Sequence, residues 1–172
     1  MMKISEASRA DVTKICSLVN SAYRGDTSRK GWTTEADLLG GIRIDEERLL
    51  QHFKEPDSTI LKCTNANQQI TGCVYLKKQQ EQLYLGMLTV APELQGNGIG
   101  KMLLQASEEK SKELNCKSIV MTVITYRFEL INWYKRHGYL ETGQKHPFPK
   151  GEKFGEPKMP LEFLILEKIM EK

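Results

Sequence analysis

The feature that most limits what this chain can fold into is a glycine-rich loop in the segment MLTVAPELQGNGIGKMLLQ, residues 87–105. An apolar run ends in Ala-Pro, glycines follow at alternate positions (Gly96, Gly98 and Gly100), and a helical pattern begins at once. Glycine accepts positive φ angles and lets another molecule approach the backbone closely. A helix start supplies free N–H groups and the positive end of the helix dipole. The segment therefore predicts an anion site, most naturally for phosphate.

Counting residues excludes two common phosphate loops. A P-loop requires G-x-x-x-x-G-K-[ST], and a match that ends at Gly100 and Lys101 places Gln95 at the first glycine and Met102 at the Ser/Thr position. The dinucleotide fingerprint G-x-G-x-x-G, started at Gly96, places Lys101 at its last glycine. The pattern Q-x-x-G-x-G fits instead. A glycine turn that only starts a core helix is the alternative.

Hydrophobic periodicity predicts a mixed α+β chain. Strands are predicted at MKIS, STILKCT, QITGCVYLKK, QLYLGMLTV, KSIVMTVI, YLETGQK and LEFLILEK, and helices over about 12–23, 45–53, 98–114 and 127–138, with a short helical piece from Thr34. Gly86 lies inside a strand pattern, where an interior glycine marks a bulge or a close approach. The element order is not a repeated β-α-β unit. It predicts a mixed, mostly antiparallel twisted sheet flanked by helices, in one domain over residues 1–172.

Composition excludes several classes of function. Net charge is +3 and basic residues alternate with acidic ones, so the clustered basic stripe of a nucleic-acid binder is missing. No apolar run is long enough to span a bilayer and the N-terminal segment has no signal-peptide core, so we predict no membrane partner and a cytoplasmic location. The four cysteines have no C-x-x-C spacing. They are predicted to be reduced thiols, with no metal site; a catalytic Cys–His pair stays open.

Two segments carry a resemblance to a known family. LTVAPELQGNGIGKMLL and SIVMTVITYRFELINWYKRHGYLETG closely resemble the GNAT superfamily of acetyl-CoA-dependent N-acetyltransferases. The order and spacing of elements match over residues 2–167. The resemblance implies a GNAT-like fold, acetyl-CoA as cosubstrate, an amine-bearing acceptor, and transfer by direct attack in a ternary complex. A non-catalytic acyl-CoA sensor on the same fold stays open, as does a homodimer.

The resemblance also implies which residues bind acetyl-CoA. In this family the strand before the glycine loop splays from its neighbour, so that backbone groups at positions like Leu88 and Val90 bond the pantetheine arm, while loop amides bind the pyrophosphate. The cofactor-binding residues predicted in this way are Leu88, Thr89, Val90, Gln95, Gly96, Asn97, Gly98, Ile99, Gly100, Lys101 and Arg127. Arg127 stands where family members often carry Asn. It could reach a cofactor oxygen or an acidic substrate group, or lie solvated in the first turn of its helix.

The catalytic residues follow from the same resemblance. Tyr134 matches the tyrosine that such enzymes often use to protonate the leaving thiolate. A phenol with a reference pKa of about 10 can serve a thiol with a pKa of about 8.5 if the two are close; the alternative is a core aromatic. Many relatives carry a glutamate that acts as the general base on the strand written here QLYLGMLTV. This strand contains no glutamate. The remaining candidates are Glu35, Asp37 or a water chain, and Glu35 can also be interpreted as a helix-start acid.

Two long loops predict the acceptor pocket, since long ordered loops in compact domains are often functional. The candidate substrate-binding residues on them are Tyr23, Arg24, Trp32, Arg43 and Phe148. Arg24 and Arg43 indicate an acceptor that carries a carboxylate or a phosphate. Trp32 and Phe148 could instead be packing anchors for their loops.

Overall fold

A computed structural model describes residues 2–24, 28–40, 42–148 and 156–170. In these ranges strands and α-helices alternate at first, three strands follow in succession, and after two more helices the last three strands close the order. The strands are β1 (Lys3–Glu6), β2 (Leu39–Gly40), β3 (Ser58–Thr64), β4 (Ile70–Gln79), β5 (Gln82–Val90), β6 (Ser118–Ile124), β7 (Leu140–Pro147), β8 (Glu156–Pro157) and β9 (Glu162–Ile169). The α-helices are α1 (Val12–Tyr23), α2 (Glu46–Lys54), α3 (Ile99–Glu113) and α4 (Phe128–Arg136).

Seven strands form one sheet in the order β1-β3-β4-β5-β6-β9-β7, and β2 pairs separately with β8. Every neighbouring pair in the large sheet is antiparallel except β5 and β6, which run parallel. The last strand, β9, lies between β6 and β7. This mixed, mostly antiparallel sheet with flanking helices confirms the predicted α+β class.

The sheet is apolar on both faces, and the alternation along β4 shows how. Cys73 and Tyr75 pack in one cluster with α1 and α2, whereas Val74 and Leu76 pack in the other with α3 and α4. Because successive strand side chains point to opposite faces, a continuous apolar run supplies both cores. The helices therefore lie in two layers with the sheet between them.

Local signals explain where α2 begins and correct one sequence-based prediction. The Asp45 carboxylate accepts a hydrogen bond from the Arg48 amide (2.8 Å) and caps α2.

The predicted helical piece from Thr34 is wrong. Its residues form a single turn in which the Glu35 carbonyl accepts from the amides of Leu38 and Leu39, both at 2.9 Å, and the chain then enters β2.

The structure describes the environment of each cysteine thiol. The four cysteines are unpaired, and all but Cys16 are buried. Burial raises the pKa of Cys73 to about 12, which leaves it an unreactive thiol. Within the described ranges, no helix has the length and apolarity to cross a membrane. The same part of the chain holds no group of three His, Cys, Asp or Glu side chains arranged for a metal ion.

Candidate active site

The site begins where two central strands separate. The parallel pairing of β5 with β6 covers only Gln82–Tyr84 against Ser118–Val120. Just beyond it, the register of β5 against β4 shifts, and Met87 takes a positive φ of 55°. This bulge confirms the prediction made from Gly86, where a Cβ atom would lie 2.8 Å from the ring of Tyr84. The bulge bends β5 away from β6 and opens a gap in the middle of the sheet.

Two cavities occupy this gap. The first cavity, of about 260 Å³, lies between α1, α2 and the splayed strands, and its walls include Tyr23, Arg127 and Tyr134. The second cavity, of about 600 Å³, lies beside the glycine loop and α4. Leu88 and Leu130 line both cavities. The two spaces therefore meet at the end of β5, and groups held in them can touch there.

The glycine loop forms one wall of the second cavity. Gly96 has φ of +90° and Gly98 has φ of +84°, while a Cβ atom on either would meet nothing within 4 Å. Backbone conformation, and not lack of space, therefore requires glycine at both positions. Gly98 precedes α3 without a side-chain cap, and the first residues of α3 line the cavity. Of the predicted cofactor-binding residues, this cavity is lined by Leu88, Val90, Gln95, Gly96, Gly98, Ile99, Gly100 and Lys101.

Three predicted cofactor-binding residues lie elsewhere, and two of them, Thr89 and Asn97, line neither cavity. Thr89 is buried, pairs with Cys73 on β4, and donates its hydroxyl hydrogen to the Met87 carbonyl (2.9 Å). Asn97 is exposed, and its side-chain amide donates to the Leu94 carbonyl (2.9 Å). Neither side chain lines the second cavity, because alternation along β5 turns Thr89 toward α1 and the turn itself holds Asn97.

Gln95 has a structural task that its motif did not reveal. Its side-chain oxygen accepts from the amides of Trp32 (2.7 Å) and Thr33 (3.3 Å), and its nitrogen donates to the Thr33 hydroxyl (2.7 Å) and the Val90 carbonyl (3.1 Å). The side chain thus ties the loop at residues 31–33 to the end of β5. Only the Gln95 backbone is left to contact a ligand.

Gly100 is explained by a neighbour on α4. A Cβ atom there would lie 3.2 Å from the ring of Trp133. Trp133 lines the second cavity and packs against Trp32, with ring centroids 6.2 Å apart. Trp32 therefore belongs to the second cavity, which corrects its predicted place in the acceptor pocket. The hydrogen bonds from the amides of Trp32 and Thr33 to the Gln95 side chain hold this loop beside the second cavity.

Tyr134 lies beside the junction of the two cavities. It follows Leu130 by one helical turn on the same face of α4 and lines the first cavity. Its side chain is only 4% exposed, and among the described residues no side-chain hydrogen bond acts on its hydroxyl. Burial, and next the neighbouring phenol of Tyr23, raise the pKa of Tyr134 well above its ordinary value. At neutral pH it is a protonated donor without an acceptor among the described residues.

Arg127, Glu35 and Arg24 form a buried chain of ion pairs. Arg24 donates to one oxygen of the Glu35 carboxylate (3.0 and 3.1 Å), and Arg127 donates to the other (2.9 Å). Arg127 also donates to the Thr33 carbonyl, and Arg24 to the Ile42 carbonyl (3.0 Å). The interpretation of Arg127 as a solvated first-turn residue is therefore wrong. Its guanidinium lines the first cavity and not the second.

This chain argues against Glu35 as the general base. Both carboxylate oxygens already accept from guanidinium groups, and a proton on Glu35 would leave two buried cations without a counter-charge. The helix-start interpretation fails as well, since no helix begins there. Asp37 is 78% exposed and pairs with Arg29 (2.9 Å), outside both cavities. Of the candidate bases considered, a water chain remains.

The other predicted acceptor residues do line the first cavity. Tyr23 donates its hydroxyl hydrogen to the Leu88 carbonyl, and Phe148 packs on Phe163 with ring centroids 5.2 Å apart. The guanidinium carbon of Arg43 lies 5.9 Å from the centroid of the Tyr23 ring. Four of the five residues predicted for the acceptor pocket are thus brought together, the exception being Trp32.

Sequence reasoning missed the far end of the first cavity. Arg48, His52, Tyr75 and Tyr84 line it there. Glu55 lies behind them and accepts hydrogen bonds from Tyr75 (2.9 Å) and from Lys77 (2.8 Å), with His52 at 2.8 Å. One signal was available: Arg48 and His52 are four residues apart and share a face of α2.

With the geometry known, comparisons with other proteins define the class. Residues 14–139 match the Acetyltransferase (GNAT) family. An acetyltransferase of Agrobacterium fabrum is 27% identical over 105 residues, which is 60% of this chain and 75% of that protein. The chain belongs to the GNAT family and is an acyltransferase, and that family uses acetyl-CoA.

Solved structures agree on the fold. The ribosomal-protein-S18-alanine N-acetyltransferase of Escherichia coli superposes with a TM-score of 0.74 at 12% identity, over 100% of this chain and 96% of that one. An acetyltransferase of Salmonella typhimurium, yncA, solved with acetyl-CoA, superposes with a TM-score of 0.72 at 18% identity, over 100% of this chain and 95% of that one. At these identities the likeness extends to the fold alone.

Proposed function

We propose that this protein transfers the acetyl group of acetyl-CoA to a primary amine, by direct attack while both substrates are bound. The observation that carries the proposal is the junction of the two cavities at Leu88 and Leu130, one helical turn from Tyr134 on α4. One cavity has the features of a phosphate site and the other is lined by polar side chains. Their meeting point is where an acyl group and an amine would be brought together.

The residues of the second cavity suit the cosubstrate. Acetyl-CoA supplies an activated acetyl group on sulfur. The pyrophosphate would be held by backbone amides of residues 96–101, where positive-φ glycines and the start of α3 combine N–H donors with the helix dipole. Trp133 would form the apolar wall opposite these amides. Lys101 adds a positive charge beside the loop.

Tyr134 is assigned the role of general acid. Its buried phenol is protonated at neutral pH and has no acceptor among the described residues, so its hydrogen is available to a sulfur that gains negative charge at the junction. A buried thiolate would be costly without a donor, because burial disfavours the charged form. The Tyr23 hydroxyl cannot do this work, since it already donates to the Leu88 carbonyl.

The experiment compares Tyr134→Phe with the wild type in acetyl transfer, followed by release of free thiol from acetyl-CoA in a broad amine panel. We expect kcat to fall about 100-fold, the lower range for a general acid, while the KM for acetyl-CoA changes less than about twofold. Tyr126→Phe is the matched control, because Tyr126 is 50% exposed and lines neither cavity. Full turnover by Tyr134→Phe would rule out the acid role.

Thermal unfolding separates the transferase from the non-catalytic sensor. Acetyl-CoA at a hundred times its dissociation constant should stabilise the folded state by about 2.7 kcal/mol, whereas ATP and NAD should not. If acetyl-CoA stabilises the protein and no amine releases thiol, the chain is an acyl-CoA sensor. If acetyl-CoA has no effect, the assignment of the second cavity is wrong.

A further inference from the structure

The first cavity carries a strong excess of positive charge. The described residues that line it include four arginines (Arg24, Arg43, Arg48 and Arg127) and one acidic residue, Glu35. Two of these arginines, Arg24 and Arg127, are neutralised in part by sharing the Glu35 carboxylate. Among the described residues of the cavity wall, no acidic side chain pairs with Arg43.

Arg43 is the exceptional member of this set. Its backbone amide donates to the Asn20 side chain (2.7 Å), but among the described residues its guanidinium makes no ion pair and no hydrogen bond. The guanidinium lies over the ring of Tyr23, at 5.9 Å from the centroid. This contact holds the planar group in place while leaving its five N–H donors available.

The neighbouring charges make this position electrostatically unfavourable without an anion. Burial, and next the charge of Arg43, lower the pKa of Arg48. Arg43 also acts with burial to lower the pKa of Arg24, against the opposing effect of Glu35. A half-buried guanidinium held among like charges is costly. An arriving anion would relieve the repulsion and gain a bidentate partner, since the guanidinium fork matches carboxylate and phosphate.

We propose that Arg43 binds an anionic group of the acceptor, so that the substrate is a small amine bearing a carboxylate, phosphate or phosphonate. This inference rests on the proposed function. The volume of the first cavity, about 260 Å³, lies below the roughly 300–1,000 Å³ of pockets for drug-sized ligands. It fits an acceptor about the size of an amino acid better than a long chain. Polycations are disfavoured by the same charges that favour the anion.

The same charges account for the missing carboxylate base. An amine has to lose its proton before it attacks. Nearby guanidiniums disfavour an ammonium ion and lower the pKa of an amine bound among them. An acceptor anchored by its anion would therefore present a neutral amine without a dedicated base.

The test uses matched acceptors that differ in the anion. The panel contains the protein amino acids, their phosphonate analogues, the amines left by decarboxylation, and spermidine as a polycation. We expect kcat/KM to be at least about 100-fold higher for the preferred anionic acceptor than for its decarboxylated amine. The ratio of carboxylate to phosphonate activity then decides between the two kinds of anion.

Variants of Arg43 assign the effect to this residue. Arg43→Gln should raise the KM for the anionic acceptor at least about tenfold, with kcat within about threefold and no change for the decarboxylated amine. Arg43→Lys, which keeps the charge and loses the fork, should lie between. Arg9→Gln removes the same charge from an exposed arginine remote from both cavities, and should behave as the wild type. Urea unfolding confirms that each variant is folded.

The outcomes separate the two proposals. If spermidine or the decarboxylated amines are acetylated as well as the anionic ones, the inference is overturned and the proposed function stands. If no amine is acetylated, calorimetric titration of the same panel in the presence of CoA decides. Binding of anionic amines that Arg43→Gln weakens supports the anion site without the transfer reaction. The absence of such binding overturns both.

Discussion

Replacing Glu35 by glutamine distinguishes a structural carboxylate from a catalytic base. The side chains of Arg24, Glu35 and Arg127 are only 4%, 7% and 9% exposed. Glutamine keeps the shape but removes the charge that both guanidiniums share. Removing one partner of a buried ion pair costs about 3–5 kcal/mol, because the other charge is left uncompensated. That is a large share of the roughly 5–15 kcal/mol that stabilises a typical domain.

The assay is urea and thermal unfolding followed by tryptophan fluorescence, together with kcat measured well below the midpoint of the variant. A loss of about 3–5 kcal/mol in a chain of this length lowers the melting temperature by roughly 10 °C. Asp37→Asn is the matched control, since this carboxylate is in the same loop but 78% exposed. It should lose less than about 1 kcal/mol.

A double variant tests whether the Glu35 carboxylate stabilises the fold by neutralising the two arginines. Combining Glu35→Gln with Arg24→Leu removes one of the two stranded charges, so it should recover part of the stability lost by Glu35→Gln alone. The opposite pattern would refute the structural role. In that case Glu35→Gln would unfold at the wild-type urea concentration while kcat fell 100-fold or more, as expected for loss of a general base.

Two further predictions concern the second cavity and the acid limit of stability. Gly100→Ala adds a methyl group 3.2 Å from the Trp133 ring, and the overpacking should raise the Kd for acetyl-CoA about tenfold by calorimetry; an unchanged Kd contradicts Trp133 as a cavity wall. Burial would raise the pKa of Glu55, but hydrogen bonds from Lys77, a histidine and a tyrosine lower it from 4.5 to about 2. Its stabilisation is therefore complete above about pH 4.5 and lost as the pH falls toward 2. Glu55→Gln should lower the free energy of unfolding at pH 7 by about 1–3 kcal/mol, after allowance for its 30% exposure. In urea unfolding, the variant should lose less stability than the wild type as the pH falls from 4.5 toward 2. An equal loss in both proteins contradicts this account.

The sequence predicted the fold well because the signals that form its elements are local. The helix predicted over 98–114 is α3 (Ile99–Glu113), and all seven predicted strands join the large sheet. Gly86 marked the bulge for the same reason, since a strand glycine reports on its immediate neighbours. Periodicity, caps and turns act over a few residues, so a single sequence contains them.

The electrostatics of the site could not be predicted in the same way. Glu35 binds one arginine 11 residues away and another 92 residues away, and no spacing rule connects such partners. Gln95 shows a second limit. Its motif indicated a ligand loop, but four hydrogen bonds of its side chain go to a loop more than sixty residues earlier and to β5. Side-chain networks follow from the tertiary fold, which the pattern of apolar residues leaves open.

The position of β9 has a consequence for the order in which the protein can form during synthesis. The sheet is arranged as β6-β9-β7, although β6 and β7 leave the ribosome before β9. Until residues 162–169 have been made, β6 has no antiparallel neighbour and two sheet edges are open to wrong pairing. The helix that carries Tyr134 lies between those two strands in the chain. Helix α4 is therefore translated before the strand that completes its sheet, and the first cavity, whose wall includes Phe163 of β9, is complete only once β9 has formed.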